Sequence, residues 1–303
     1  MKKSRLAVSL TFVIVLMVVF VTLVFTLSRF FEDEERPSGF SGILDYGNKI
    51  GIIPIEGTIM TADETLKNLR KFEKRSSIRA IVLRINSPGG TVAPAQEIYR
   101  EIEKIKKKKP VVASIETVGA SAAYYIASNT DRIVCSKGSI TGSIGVIMML
   151  PDIHKVIEKI GVNVNIIKAG AFKDIGSGVK PLDDKERDIL QGFATEVHEQ
   201  FISDVIQGRK GKIEEDKLRS IADGRFFTGQ TAKDLGLVDS MGNFYDAIKV
   251  AANLCGIKGE PEIEYPKKKW NSYLDLFLDS TSKSIVKGLE YAGSARSNAP
   301  IPR

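Results

Sequence analysis

An α/β fold with a largely parallel sheet is the architecture this chain predicts, and three observations carry it. Short runs rich in isoleucine and valine alternate with amphipathic helical stretches. The connections between them are short, as in sheets built from right-handed crossovers. Two glycine-containing turns, SPGG at 87–90 and VGAS at 118–121, each follow closely on an apolar run, and the carboxyl ends of strands are where such folds carry their sites.

The first strand is KIGIIPIEG, from Lys49, an isoleucine-rich run of the kind a sheet buries on both faces. Residues 63–75 place Leu66, Leu69 and Phe72 at helical spacing. IRAIVLRINS, 78–87, is the second strand and stops where Pro88, Gly89 and Gly90 force a turn. Ile98, Ile102 and Ile105 mark the next helix, which Pro110 ends. VVASIE is the third strand, a helix starts at Ser121, and DRIVCS is the fourth strand. A glycine-rich segment, GSITGSIGVIM, leads to a helix over 153–160, and VNVNIIKAG is expected as a fifth strand. A long helix over 183–208 carries Ile189, Phe193, Val197, Phe201 and Val205 on one stripe, and shorter helices follow over 213–222, 229–235 and 243–254.

At 303 residues the chain is long enough for one large domain plus extra segments. The net charge of +7 is modest and its basic residues are spread out. The longest run, Lys106 to Lys109, closes a predicted helix, where cations complement the macrodipole; no nucleic-acid partner is inferred. The two cysteines, Cys135 and Cys255, sit in separate apolar runs and read first as buried free thiols, with a disulfide the alternative for a domain that faces an oxidising compartment. Without a Cys/His cluster no metal site is expected. The N-terminus says more. Lys2, Lys3 and Arg5 precede a nearly unbroken apolar stretch over 7–27, long enough at about 1.5 Å per residue to cross a bilayer core of about 30 Å. The exit, TLSRFFEDEER, offers no small-residue cleavage site. The stretch therefore reads as an uncleaved signal anchor contacting lipid. Its N-terminal charges place that end in the cytoplasm and the rest of the chain outside it, at the cell membrane. The division that follows is a tip and anchor over 1–28, a linker over 29–48, a catalytic domain over 49–258 and a C-terminal extension over 259–303.

Ser121 lies in TVGASAAYYIAS, a stretch stripped of bulk, on a tight strand-to-helix turn. Acyl transfer at such a serine needs a base and two N–H groups aimed at the developing oxyanion. Gly90 can supply one, because a glycine lets backbone N–H groups point where a side chain would clash. Ala122, at the helix start, can supply the other. A histidine base is poorly supported. His198 falls on the polar side of the long helix and reads as a solvated surface residue, and His154 reads as a surface or capping residue. Lysine is the alternative. A free lysine, with a pKa near 10.4, is neutral in only about one molecule in two thousand at pH 7. Lowering its pKa to near 7 takes roughly 4 kcal/mol, which burial can supply. KAGAFKDIGSG at 168–178 offers Lys168 and Lys173, and the chemistry alone does not choose between them.

VLRINSPGG, VGASAAYYIAS, ITGSIGVIM, IKAGAFKDIGS and DGRFFTGQTAKDLGLVD occur in order over about residues 45–255. In them the chain resembles the signal peptide peptidase A family in its short form, with a single catalytic domain. That resemblance implies a membrane-anchored serine protease with the ClpP/crotonase-like fold, a repeated ββα-type sheet with flanking helices behind one N-terminal transmembrane helix. It implies that Ser121 is the nucleophile, that Lys173 is the general base and that Ser143 hydrogen-bonds and orients the lysine amine. Gly90 and Ala122 would be the oxyanion donors, with no cofactor and no metal. The substrates implied are released signal peptides and other apolar peptides. The partner implied is further copies of the chain, with substrate sites formed between neighbouring subunits. One departure stands out: Ala122 and Ala123 follow the serine where the family often has glycines, which narrows the space expected beside it.

Two rival readings share the fold. One is a membrane-bound Ser-Lys protease that clips membrane proteins. The other is a crotonase-like acyl-CoA enzyme, which uses a glycine-rich oxyanion turn but has no need of Ser121. An inactive scaffold is disfavoured by the presence together of Ser121, Ser143 and Lys173.

Overall fold

The computed structural model describes residues 47–267. The predicted anchor over 7–27, most of the linker and the extension beyond residue 267 lie outside the described residues. Among those residues eight strands form one sheet: β1 (Lys49–Glu56), β2 (Ile78–Ser87), β3 (Val111–Ala120), β4 (Arg132–Cys135), β5 (Ile140–Gly142), β6 (Phe226–Thr228), β7 (Ser240–Met241) and β8 (Glu262–Glu264). Their order is β6-β5-β3-β2-β1-β8, with β4 paired to β3 and β7 to β4. Every pairing is parallel except β5 with β6, so the sheet is mixed with a dominant parallel centre.

Alternation along the central strands builds two cores. Ile53, Ile55, Ile81, Leu83, Ile85, Val111, Ala113 and Ile115 face one way, and Ile50, Ile52, Ala80, Val82 and Val112 face the other. The helices α1 (Asp63–Lys74), α2 (Val92–Lys106) and α3 (Ala122–Ser128) cover the first face, as does the C-terminal half of α5 (Asp184–Gly208). The second face is covered by α8 (Phe244–Leu254), through Ala247, Ile248, Ala251 and Ala252. Each isoleucine or leucine fully removed from water contributes about 1.5–3 kcal/mol, offset by the entropy of ordering the chain. The central strands read as near-continuous apolar runs because both of their faces are covered.

Strand β3 forks the sheet. Its first half pairs with β4, from Val112 opposite Arg132 to Ile115 opposite Cys135. Its second half pairs with β5, from Val118 opposite Ile140 to Ala120 opposite Gly142. Three residues of β5 thus run beside the carboxyl end of β3, and Ser121 and Ser143 each follow a register partner. Strand β5 lies in the segment read above only as glycine-rich; three residues are too few to show a period of two.

VNVNIIKAG is not a strand. The chain between Gly145 and α5 carries only α4 (His154–Lys159) and turns. Its alternating apolar residues join no sheet edge among the described residues: Ile147 is 80% exposed, Met149 82% and Ile167 100%. The stripe on α5 is also only half used. Phe201 and Val205 are buried, whereas Ile189 and Phe193 are exposed. This uncovered arm and the first half of α5 form a continuous stretch of sequence whose apolar side chains find no cover among the described residues. The lysine run closes α2 as expected, with Lys106 in its last turn and Lys107 at its C-cap; beyond it, Lys109 Nζ donates to the Phe72 carbonyl at 2.8 Å and to that of Arg75, at the end of α1. The short helices α6 (Glu215–Ile221) and α7 (Gly229–Asp234) complete the domain.

Candidate active site

Ser121 sits between β3 and α3 with φ 53° and ψ −125°. These are values of the first central position of a type II′ turn, which glycine occupies easily and other residues only when the surroundings hold them. The surroundings are specific. The Ser121 N–H donates to the Gly142 carbonyl on β5 at 2.9 Å, and its carbonyl accepts from Tyr125 N–H at 2.9 Å. Helix α3 is buried along its whole length. Tyr124 Oη donates to the Leu237 carbonyl at 3.0 Å, and the Tyr125 ring lies 4.5 Å from that of Phe201. Ser121 is therefore a half-buried hydroxyl on a rigid, strained corner.

The SPGG turn meets that corner. Gly89 has φ 111°, and a Cβ there would lie 2.7 Å from Ser121 Cβ and 3.0 Å from the Ala122 nitrogen. Ser87, fully buried, fixes the turn: its Oγ accepts the Gly89 N–H at 3.1 Å. Ile59 holds the other side, accepting from Thr91 N–H at 2.8 Å and donating to the Gly89 carbonyl at 2.9 Å. That parallel bridge turns the Gly90 N–H away from Ile59. A Cβ on Gly90 would lie 2.1 Å from the Ile59 carbonyl oxygen, so glycine is required there as well. Among the described residues neither Gly90 N–H nor Ala122 N–H has a backbone acceptor. Two unspent donors beside a serine are what an acyl-transfer site needs. Ser87 and Ile59 were not singled out from the sequence. The serine of INSPGG was a usable signal, since a serine two residues before a glycine commonly closes a turn with its hydroxyl.

Ser143 follows Gly142 on the neighbouring strand and has φ 52°. Its N–H donates to the Arg225 carbonyl at 2.9 Å. The structure thus brings together Ser121, Ala122, Ser143 and the Gly89–Gly90 turn. It does not bring Lys173 to them. Lys173 is exposed in the turn over 171–176, and its side chain makes no hydrogen bond to Ser121 or Ser143 among the described residues. The same arm separates the two candidate lysines. Lys168 Nζ donates to the Ala171 carbonyl at 2.8 Å and pairs with Asp174. The Lys168 ammonium in turn holds the Asp174 carboxyl below the usual carboxylate range. Lys168 is thus engaged within its own turn, whereas Lys173 has no carboxylate partner among the described residues.

Two expectations change, while the reading of both cysteines as free thiols stands. Ala122 and Ala123 are 4% and 0% exposed and belong to the core on the α3 side, so their methyl groups pack inward rather than crowding the space beside Ser121. His198 is half-buried, with its Nε2 3.2 Å from the Ile144 carbonyl; it is not a solvated surface residue. Cys135 is fully buried, and burial pushes its thiol up to about 11, while Cys255 is half-buried. Both are therefore inert at neutral pH. His154 opens α4 but does not cap it: its backbone N–H donates to Asp152 Oδ1 at 3.1 Å, so the carboxylate of Asp152 serves the helix start.

The sequence profile of peptidase family S49 matches residues 103–258, across β3, α3, β5 and the arm. The chain belongs to peptidase family S49. A Clp protease profile matches residues 48–140 of this S49 chain, which agrees with the sheet and gives its first half a ClpP-like character. A relative from Synechocystis sp. is 42% identical over 211 residues, covering 69% of this chain and 75% of that one. Protease 4 of Haemophilus influenzae is 32% identical and covers 79% of this chain, which spans 40% of its length. The chloroplastic serine protease SPPA of Arabidopsis thaliana is 31% identical over 79% of this chain and 34% of its own. Among solved structures a ClpP1 variant from Listeria monocytogenes aligns over 65% of the S49 chain and 93% of its own, with 19% identity and a TM-score of 0.44. The S49 chain is a serine endopeptidase, as its family and these relatives have it, and the resemblance to signal peptide peptidase A read from its motifs agrees.

Proposed function

We propose that this S49 peptidase is a membrane-anchored Ser-Lys enzyme that cleaves released signal peptides and other apolar peptides, with Ser121 as nucleophile and Lys173 as base. The observation that carries the reading is the strained Ser121 corner, set against the Gly89–Gly90 turn with the N–H groups of Gly90 and Ala122 unspent. Neutral Lys173 takes the Ser121 proton as Oγ attacks the substrate carbonyl, and the two N–H groups hold the oxyanion. The lysine then gives that proton to the leaving amine as the peptide bond breaks. Water, deprotonated by the same lysine, releases the second product and returns the hydrogen to Ser121.

Lys173 is exposed and its side chain makes no hydrogen bond to Ser121 among the described residues, so the reading includes assembly. Copies dock through the uncovered arm and the first half of α5, burying Ile167, Phe193 and their neighbours. Docking also removes Lys173 from water, which is the condition for a lysine to lose its proton near neutral pH. The anchor over 7–27 places the domain outside the cytoplasm. Ser143 is the hydroxyl that orients the lysine.

The test uses full-length protein in detergent with a synthetic signal peptide. Wild type is expected to degrade it and to label at Ser121 with a fluorophosphonate, while Ser121→Ala and Lys173→Ala are folded and inert. Full activity in either variant overturns the dyad. Cleavage of intact membrane proteins in preference to the free peptide would favour the rival protease reading.

A further inference from the structure

The stretch between Ser143 and α5 leaves the sheet and comes back, and His198 ties its two roots together. The chain departs through Ile144, which is 1% exposed. It returns at Asp183, whose carboxylate accepts the Glu186 N–H at 2.8 Å in a capping box that starts α5. Four turns along that helix, His198 Nε2 lies 3.2 Å from the Ile144 carbonyl oxygen. A carbonyl only accepts, so Nε2 carries the proton and donates. The same oxygen accepts Gly224 N–H at 3.0 Å, so both of its lone pairs are used. On the other side of Ser143, its own N–H is held by the Arg225 carbonyl at 2.9 Å. Ser143 keeps φ 52° between these two clamps, and a non-glycine residue keeps such a conformation only when its neighbours over-determine it.

We infer that His198 is a positioning residue for the Ser143 strand end, and through it for the arm that carries Lys173. It touches neither substrate nor nucleophile. Its donor fixes the peptide after Ile144, hence the conformation of Ser143 and the angle at which the arm leaves the sheet. The inference rests on the Ser-Lys reading, since a misplaced Ser143 matters to catalysis only if its hydroxyl serves the base. The other members of the clamp are backbone groups of Gly224 and Arg225, which no side-chain substitution removes, so His198 is the one side-chain contact in it that mutation can delete.

The experiment compares three variants of the full chain on a quenched signal-peptide substrate. Glutamine carries an amide N–H at nearly the position of Nε2, phenylalanine fills the volume without a donor, and alanine does neither. His198→Ala and His198→Phe are expected to lower kcat roughly tenfold with little change in KM, because placement of a group is lost rather than binding. His198→Gln is expected to recover kcat to within about twofold of wild type. Thermal melts accompany each variant; should the alanine protein not fold, Gln against Phe decides. Wild-type kcat in the Phe variant, or a Gln variant as slow as Phe, overturns the inference. Ser121→Ala and Lys173→Ala are assayed beside them. If those two are inert and the His198 series is flat, only the role of His198 fails. If Lys173→Ala is fully active, the Ser-Lys reading itself fails.

Discussion

Ser121 occupies a conformation that favours glycine while carrying the side chain that the proposed chemistry uses, and that conflict can be measured. Alanine at 121 keeps the strain and loses the hydroxyl; glycine loses both. Ser121→Gly is therefore expected to be more stable than Ser121→Ala by about 1 kcal/mol in chemical denaturation. Equal stabilities would mean that the corner is not strained. The two lysines of the arm make a second residue-scale test. Lys168 is committed to Asp174 and the Ala171 carbonyl, so Lys168→Met is expected to keep kcat/KM within about threefold of wild type, whereas Lys173→Met is expected to lose roughly a thousandfold or more. The reverse pattern would move the base to Lys168.

The end of α5 is pinned by a buried ion pair. Arg209 Nη1 donates to Asp239 Oδ2 at 2.8 Å, Lys212 Nζ to Oδ1 at 2.7 Å, and Arg209 also reaches the Gly236 carbonyl. Burial alone pushes the Asp239 carboxyl up, but Arg209, Lys212 and the Ile133 N–H together hold it below its usual 3.8. A lowered folded pKa contributes stability that is complete above the unfolded value and is lost as pH falls through the folded one. Below pH 3.8 the wild type should therefore shed this contribution. Asp239→Asn, which leaves Arg209 buried without its charge partner, is expected to cost about 3–5 kcal/mol at pH 7 and to show a shallower acid limb in urea titrations. A parallel acid limb would remove Asp239 from the account. Elements of this kind were legible to different degrees. The buried runs of β1 to β4 and the helices with a covered stripe declared themselves, because their patterns answer to partners within the same chain. VNVNIIKAG did not, because its alternation answers to no strand edge among the described residues. Strand β5 was too short to carry a pattern. At the site, Ser121 and the SPGG turn stood out as small residues after buried strands. The contacts of Ile59 with the Gly89–Thr91 turn and of His198 with Ile144 were hidden, because each joins residues tens of positions apart, whereas Ser87 closes its turn only two residues along.

At the scale of the whole molecule, a compact domain carries an arm whose apolar residues are left in water, among them Ile147, Met149 and Ile167. An exposed apolar surface of that extent marks an interaction site. Ile167→Asp together with Phe193→Asp is expected to convert an oligomer into monomers in light scattering and to abolish peptidase activity without lowering the melting temperature. A second test mixes subunits. If Ser121 of one copy meets Lys173 of another, co-expressed Ser121→Ala and Lys173→Ala chains regain part of the wild-type rate, although each alone is inert; no recovery would mean that both residues act within one chain. The backbone at 121 and 143 also has a bearing on the history of such chains. Both positions hold a left-handed backbone under a serine, a state that selection must keep renewing against drift. In a descendant released from the need to cut peptides, glycine at 121 and 143 is the cheapest gain in stability. Those two substitutions together would therefore mark a chain retained for some duty other than proteolysis.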